Sequence, residues 1–281
     1  MGLEYILLLF TSISCFLSHK NVSILLLLCS VIAAYICGTI NGYGISAIIG
    51  FYVITHIYFQ EDINSKIPKA ILLLIILVTL ILLGFHLLPG FNKSLVIDKL
   101  RISALSIPFS MYLNFDKTIA GIILFMNSGL YTNEGPPNVR SIITTSKLLC
   151  LCSATLMMAG FLSGYIKPDF KVPDILLIWC INNLFFVCLS EEVIFRGIIQ
   201  RKLEKSSSSK YLPLALASLI FGLAHFKGGI AYILLSCVAG YFYGLTYKKT
   251  RRILCSMVVH FGLNLTHLVF FTYPAAIKTM S

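Results

Sequence analysis

Charge is scarce in this sequence. Only 12% of its 281 residues are charged, about half the ~25% of an ordinary soluble domain. Acidic residues are scarcest, 11 against 22 basic ones. Such a composition excludes a soluble globular enzyme. What replaces charge is apolar bulk: 58% of residues are hydrophobic and the mean hydropathy is +0.89. Runs of roughly 15–20 apolar residues recur along the chain, each long enough to cross a bilayer or nearly so. The alternation of a membrane β-barrel is missing. A C-x-x-C pair is also missing, and the nine cysteines (15, 29, 37, 150, 152, 180, 188, 237 and 255) are odd in number. Neither a disulfide framework nor a zinc site follows; they read as small core residues. The N-terminus lacks a basic leader and carries Glu4, so residues 3–17 read as a retained helix. No internal repeat is evident.

The fold class is therefore all-α, a polytopic transmembrane bundle of about eight or nine membrane helices. Spans are expected near 3–18, 22–41, 43–59, 70–88, 148–166, 175–200, 212–226, 230–247 and 253–273. Residues 1–147 form a front half of helices and an interfacial segment, with Phe115–Met126 dipping into the membrane and a turn at Asn133–Asn138. Residues 148–281 hold every polar constellation. His56 and His86 read as packed histidines of the front bundle. The net charge of +11 signals cytoplasmic loops rather than nucleic acid. Arg201, Lys202, Lys205 and Lys210, with Lys248, Lys249, Arg251 and Arg252, mark that side. The expected setting is a prokaryotic inner membrane, with the polar residues towards its cytoplasmic half.

Ionisable groups inside such helices are expensive and persist as mutual partners or as polar sites. The stretch Ser190-Glu-Glu-Val-Ile-Phe-Arg196 carries three of them. On an ideal helix Glu192 and Arg196 share a face at i, i+4. Glu191 points about 100° away and has no local counter-charge. His225 ends Phe221-Gly-Leu-Ala-His225, and His260 and Asn264 share a face of the last helix. At about 1.5 Å per residue from the nearest basic loop, Glu191 lies roughly 15 Å deep, His225 20 Å, His260 12 Å and Asn264 18 Å. Four polar residues thus fall in one band.

That set suits hydrolysis. A glutamate with a histidine can hold and deprotonate a water, and a second histidine with an amide can stabilise an oxyanion. Alternatively Glu191, His225 and His260 could bind a divalent metal such as zinc that activates the water. Residue types alone do not separate the two.

Glu-Glu-x-x-x-Arg, Phe-x-x-x-His and His-x-x-x-Asn, in that order on polar-bearing helices, resemble the CPBP family of intramembrane proteases. This family is also called Abi and includes the CAAX-processing endopeptidases. The resemblance covers about residues 148–273. It implies that Glu191 and His225 activate water, that His260 and Asn264 support the oxyanion, and that Glu192 and Arg196 shape the site. The implied substrate is a membrane-anchored protein or peptide, such as a CAAX-like or C-terminal sorting tail. No cofactor is favoured, since His-Glu-x-x-His is absent. Gly-x-Ser-Gly and Gly-x-Gly-Asp are absent too, which excludes rhomboid-type serine and aspartyl intramembrane chemistry. The alternatives are a proton- or cation-coupled transporter, for which inverted repeats are missing, and a non-catalytic bacteriocin-immunity relative. His267 reads as structural, and Tyr241, Tyr243 and Tyr247 as packing. Asn182 and Asn183 fit either a bundle contact or the site.

Overall fold

Backbone that enters lipid must satisfy its own hydrogen bonds, so apolar runs become helices. The computed structural model describes residues 1–17, 19–60, 66–130 and 137–277. Four helices come first: α1 Leu3–Phe16, α2 Lys20–Ile36, α3 Gly42–Phe59 and α4 Lys66–Gly84. A hairpin of β1 Ser94–Leu100 and β2 Phe109–Leu113 follows. Then come α5 Phe115–Asn127, α6 Val139–Leu162, α7 Leu176–Ser206, α8 Leu212–Leu223, α9 Gly229–Thr250 and α10 Ile253–Phe270. Asn side chains begin two of them. Asn41 accepts from the Tyr43 N–H at 2.9 Å, and Asn138 from the Ser141 N–H at 2.9 Å, satisfying donors that a helix start leaves over.

The all-α polytopic reading holds, with a corrected count. Among the described residues, six helices are long and apolar enough to cross a membrane by length and composition: α3, α4, α6, α7, α9 with its preceding turn, and α10. The other three expected spans are helices, but α1, α2 and α8 have 14, 17 and 12 residues. At 1.5 Å per residue they reach only about 21, 26 and 18 Å, against a hydrocarbon core of about 30 Å. The hairpin was not expected either. The turn expected at Asn133–Asn138 lies largely outside the described residues.

The chain divides into two units. The first comprises Met1–Val96, Tyr112–Gly135 and Phe185–Val193. At its centre is α5, against which α1, α3, α4 and residues 189–192 of α7 pack. Phe115, Asp116 and Thr118 through Phe125 are all buried. The sequence reading placed this stretch at an interface because its apolar run, residues 119–126, is too short to span alone. Here protein rather than lipid covers it, so it has no need to span. Tyr5 ties α1 to its start: the hydroxyl donates to the Leu113 carbonyl at 3.0 Å, and the ring lies edge-on to Phe115.

The second unit comprises Ile97–Met111, Pro136–Leu184 and Ile194–Ser281. Its core joins Leu148, Cys152 and Leu156 of α6 to Phe221 of α8, Phe242 and Tyr243 of α9, and Val259 and Leu263 of α10. Gly222 lets α8 and α9 touch: a Cβ there would stand 2.8 Å from the Ile233 carbonyl. A smaller cluster surrounds Trp179, whose indole N–H donates to the Tyr273 hydroxyl at 3.1 Å. The segment after α10 is held by backbone bonds from Asp169 to Phe270, Ile107 to Ala275 and Ala276 to Tyr165.

Candidate active site

The helix that carries the two glutamates is not uniform. α7 runs as an ordinary helix over Leu176–Ile181, widens into π-type turns over Asn182–Cys188, narrows for Leu189–Glu192, and widens again over Val193–Gln200. Such i→i+5 turns recur at functional sites. The glutamates occupy the one ordinary turn between two wide ones. Glu192 closes the ordinary turn, and Arg196 lies in the second wide stretch.

In the first unit Glu192 is wholly buried and Glu191 nearly so. Glu191 lacks a counter-charge nearby in sequence, as expected, but it has one in space. The Lys117 ammonium donates to Glu191 Oε1 at 2.5 Å, from the first turn of α5 and 74 residues away. Beside it, Asp116 uses one oxygen to accept the Lys117 backbone N–H at 2.8 Å and the other to meet His86 Nδ1 at 2.6 Å. The first unit thus brings His86, Asp116, Lys117 and Glu191 into one polar row, its carboxylates buried and His86 and Lys117 half-buried. His86 is a packed histidine of the front half, as the sequence suggested, and Asp116 is its hydrogen-bond partner.

In the second unit three residues converge on Phe221. The Arg196 guanidinium sits 4.6 Å from the ring centroid of Phe221 and 5.4 Å from that of Tyr243, and donates to the Gly240 carbonyl at 3.0 Å. His225 follows the end of α8, its ring 4.6 Å from Phe221 and its Nδ1 2.8 Å from the Phe221 carbonyl. His260, almost fully buried, stacks on Tyr243 at 4.3 Å and meets Phe221 edge-on at 5.9 Å. Two aromatic rings thus fix the planes of two histidines and shelter one arginine. One turn along α10, the Asn264 amide donates to the Asn183 side-chain oxygen at 3.2 Å. That contact gives Asn183 its place. His267 faces away from this group, with Nε2 3.1 Å from the Thr272 carbonyl and its ring against Tyr273.

The sequence alone missed Lys117 and read Tyr243 as packing, while Asn183 was open between a bundle contact and the site. A signal for Lys117 existed: Asp116 and Lys117 open an apolar run, and charges in such a place need partners. Among the described residues no group of three or more His, Cys, Asp or Glu is placed to hold a metal ion.

In the second unit Phe-x-x-x-His and His-x-x-x-Asn thus mount on Phe221 and Tyr243, and in the first the Glu-Glu pair is buried. One family match covers all three motifs. Residues 173–266 match the Rce1-like family, the type II CAAX prenyl endopeptidases. The Rce1-like segment contains Glu191, Glu192, Arg196, His225, His260 and Asn264, and agrees with the resemblance read from the motifs. It is a peptidase family, and its members act on membrane-anchored proteins. With six helices able to span among the described residues, the chain is an integral, multi-pass membrane protein. No curated protein and no solved structure matches it.

Proposed function

We propose that this chain is an intramembrane endopeptidase that hydrolyses a peptide bond in a membrane-anchored protein or peptide, near a CAAX-like or C-terminal sorting tail. The observation that carries this reading is that the Rce1-like match spans all three polar motifs. Glu191 and His225 hold a water and take its proton as its oxygen attacks the scissile carbonyl. His260 and Asn264 donate to the oxyanion that forms. The proton then passes to the departing amine, which completes hydrolysis. Glu192 and Arg196 shape the site. The rigid mounting of His260 on Tyr243, and of Asn264 on Asn183, suits donors that must be aimed before the charge develops. Water activation without metal is the preferred form; with a metal, Glu191, His225 and His260 would be the ligands. The site lies towards the cytoplasmic half of a prokaryotic inner membrane.

The test is cleavage of a membrane peptide ending in a CAAX-like tail by the purified chain. Glu191→Gln should fold and lose about 10²–10⁴ in rate. Activity should survive exhaustive chelation; loss restored by zinc would assign the three residues as ligands instead. A Glu191→Gln variant that cleaves at the wild-type rate would sink the reading. Reporter fusions at Ser207 and Thr250 should report cytoplasm, and one at Ile230 the other side.

A further inference from the structure

Lys117 lies outside the segment that matches the family, and its contact with Glu191 comes from the helix at the centre of the first unit. We propose that Lys117 is a positioning residue for the Glu191 carboxylate, an inference that rests on the peptidase reading. The ammonium engages one oxygen, Oε1, at 2.5 Å. The side chains of lysine and glutamate are only 22% and 9% exposed, so this is no solvated surface pair.

Three features make the contact rigid. The first turn of α5 is pinned by Asp116, which accepts the Lys117 N–H and also holds His86. His86 is delivered at a cost. It sits just past the end of α4 with φ +58, a left-handed position usually given to glycine. The His86 N–H reaches the Leu83 carbonyl and the Leu87 N–H the Leu82 carbonyl, closing the helix end. A strained non-glycine residue kept at such a cap is a place to look for function, and here its ring meets Asp116. Finally, α5 and α7 touch backbone to backbone beside the pair: a Cβ on Gly121 would stand 2.6 Å from Ser190 Cα. Gly121 is one turn from Lys117, and Ser190 adjoins Glu191.

A filler role explains this poorly. A buried ion pair can often be replaced by apolar residues with no loss of stability. A pair in which the carboxylate is the proposed base itself, held between fixed elements, instead suits a group that must keep one orientation.

The experiment measures kcat and KM for membrane-peptide cleavage by the full chain carrying Lys117→Met, Lys117→Arg, Glu191→Gln, or Lys117→Met with Glu191→Gln. Lys117→Met should lower kcat about 10²-fold, as for a misplaced catalytic group, with KM unchanged. Lys117→Arg should restore most of that loss. The double variant should be no slower than Glu191→Gln alone, because residues that act as a unit do not add. Should Lys117→Met fail to fold, the double variant leaves no unpaired charge, and its comparison with Glu191→Gln still decides. If Glu191→Gln is inactive but Lys117→Met cleaves normally, or if the double variant is slower than Glu191→Gln, the proposal fails and the peptidase reading stands. If the wild-type chain cleaves nothing, or Glu191→Gln cleaves as well as wild type, the peptidase reading fails and takes this proposal with it.

Discussion

Substituting Gly121 with alanine adds one methyl group where α5 and α7 approach closely in the first unit. Its Cβ would stand 2.6 Å from Ser190 Cα, 2.6 Å from Ser190 Oγ and 2.7 Å from Ser190 Cβ. The hydroxyl can rotate, but Cα cannot. To bring the 2.6 Å gap to an ordinary contact of 3.4 Å, α5 must part from α7 by about 0.8 Å. Overpacking of this kind costs about 1–3 kcal/mol. Because Lys117 and Glu191 ride on the two parted helices, their contact should loosen by a similar distance. A displacement of ~1 Å at a catalytic group can cost about 10² in rate. Gly121→Ala should therefore melt several degrees below wild type and lose most of its cleavage of a membrane peptide. Ser190→Gly should not rescue it, because the Ser190 Cα remains in the way. Gly50 of α3 is the control: nothing lies within 4 Å of its added Cβ, and alanine there should be neutral or stabilise by up to ~1 kcal/mol. Measuring melting and cleavage for these four proteins decides the matter. A Gly121→Ala variant that melts and cleaves as wild type would refute the contact.

Other consequences can be measured separately. Asn264→Ala should fold and lose roughly 10²–10³ in rate, as for one oxyanion donor. Asn183→Ala, which frees the Asn264 amide without removing it, should lose less; equal losses would give Asn183 a direct role. At His86, alanine keeps the strained φ and loses the Asp116 contact, whereas glycine loses only the contact. His86→Gly should therefore melt above His86→Ala, by about 1 kcal/mol, and the reverse order would show that the backbone there is unstrained. Burial pushes the Asp169 carboxyl up, but the nearby Ser103 hydroxyl and the Lys171 ammonium at 3.1 Å outweigh it and hold it below its ordinary value of 3.8. A lowered folded-state value contributes stability above pH 3.8 that is lost as pH falls through it. Melting curves between pH 5 and 3 should thus flatten in Asp169→Asn, and an unchanged slope would count against the pairing.

The sequence by itself determined the class and marked the polar motifs. In lipid a backbone without water has few options, so long apolar runs dictate helices, and all nine expected helices exist. The motifs were legible because each is local: Phe221 with His225, and His260 with Asn264, are single helical turns. Span length was less legible. Hydropathy does not mark where an apolar helix stops, and α1, α2 and α8 stop short. The tertiary structure decided what periodicity cannot encode. It buried α5 in protein, although its length and mixed flanks suggested an interface. It supplied Glu191 with Lys117 from 74 residues away, and Asn264 with Asn183 from 81 away. It also widened α7 on both sides of the glutamates, shifting faces that an ideal 100° step would have placed. Each is a long-range choice of partner or a departure from regular geometry, and such choices are settled by packing among distant segments rather than by neighbours along the chain.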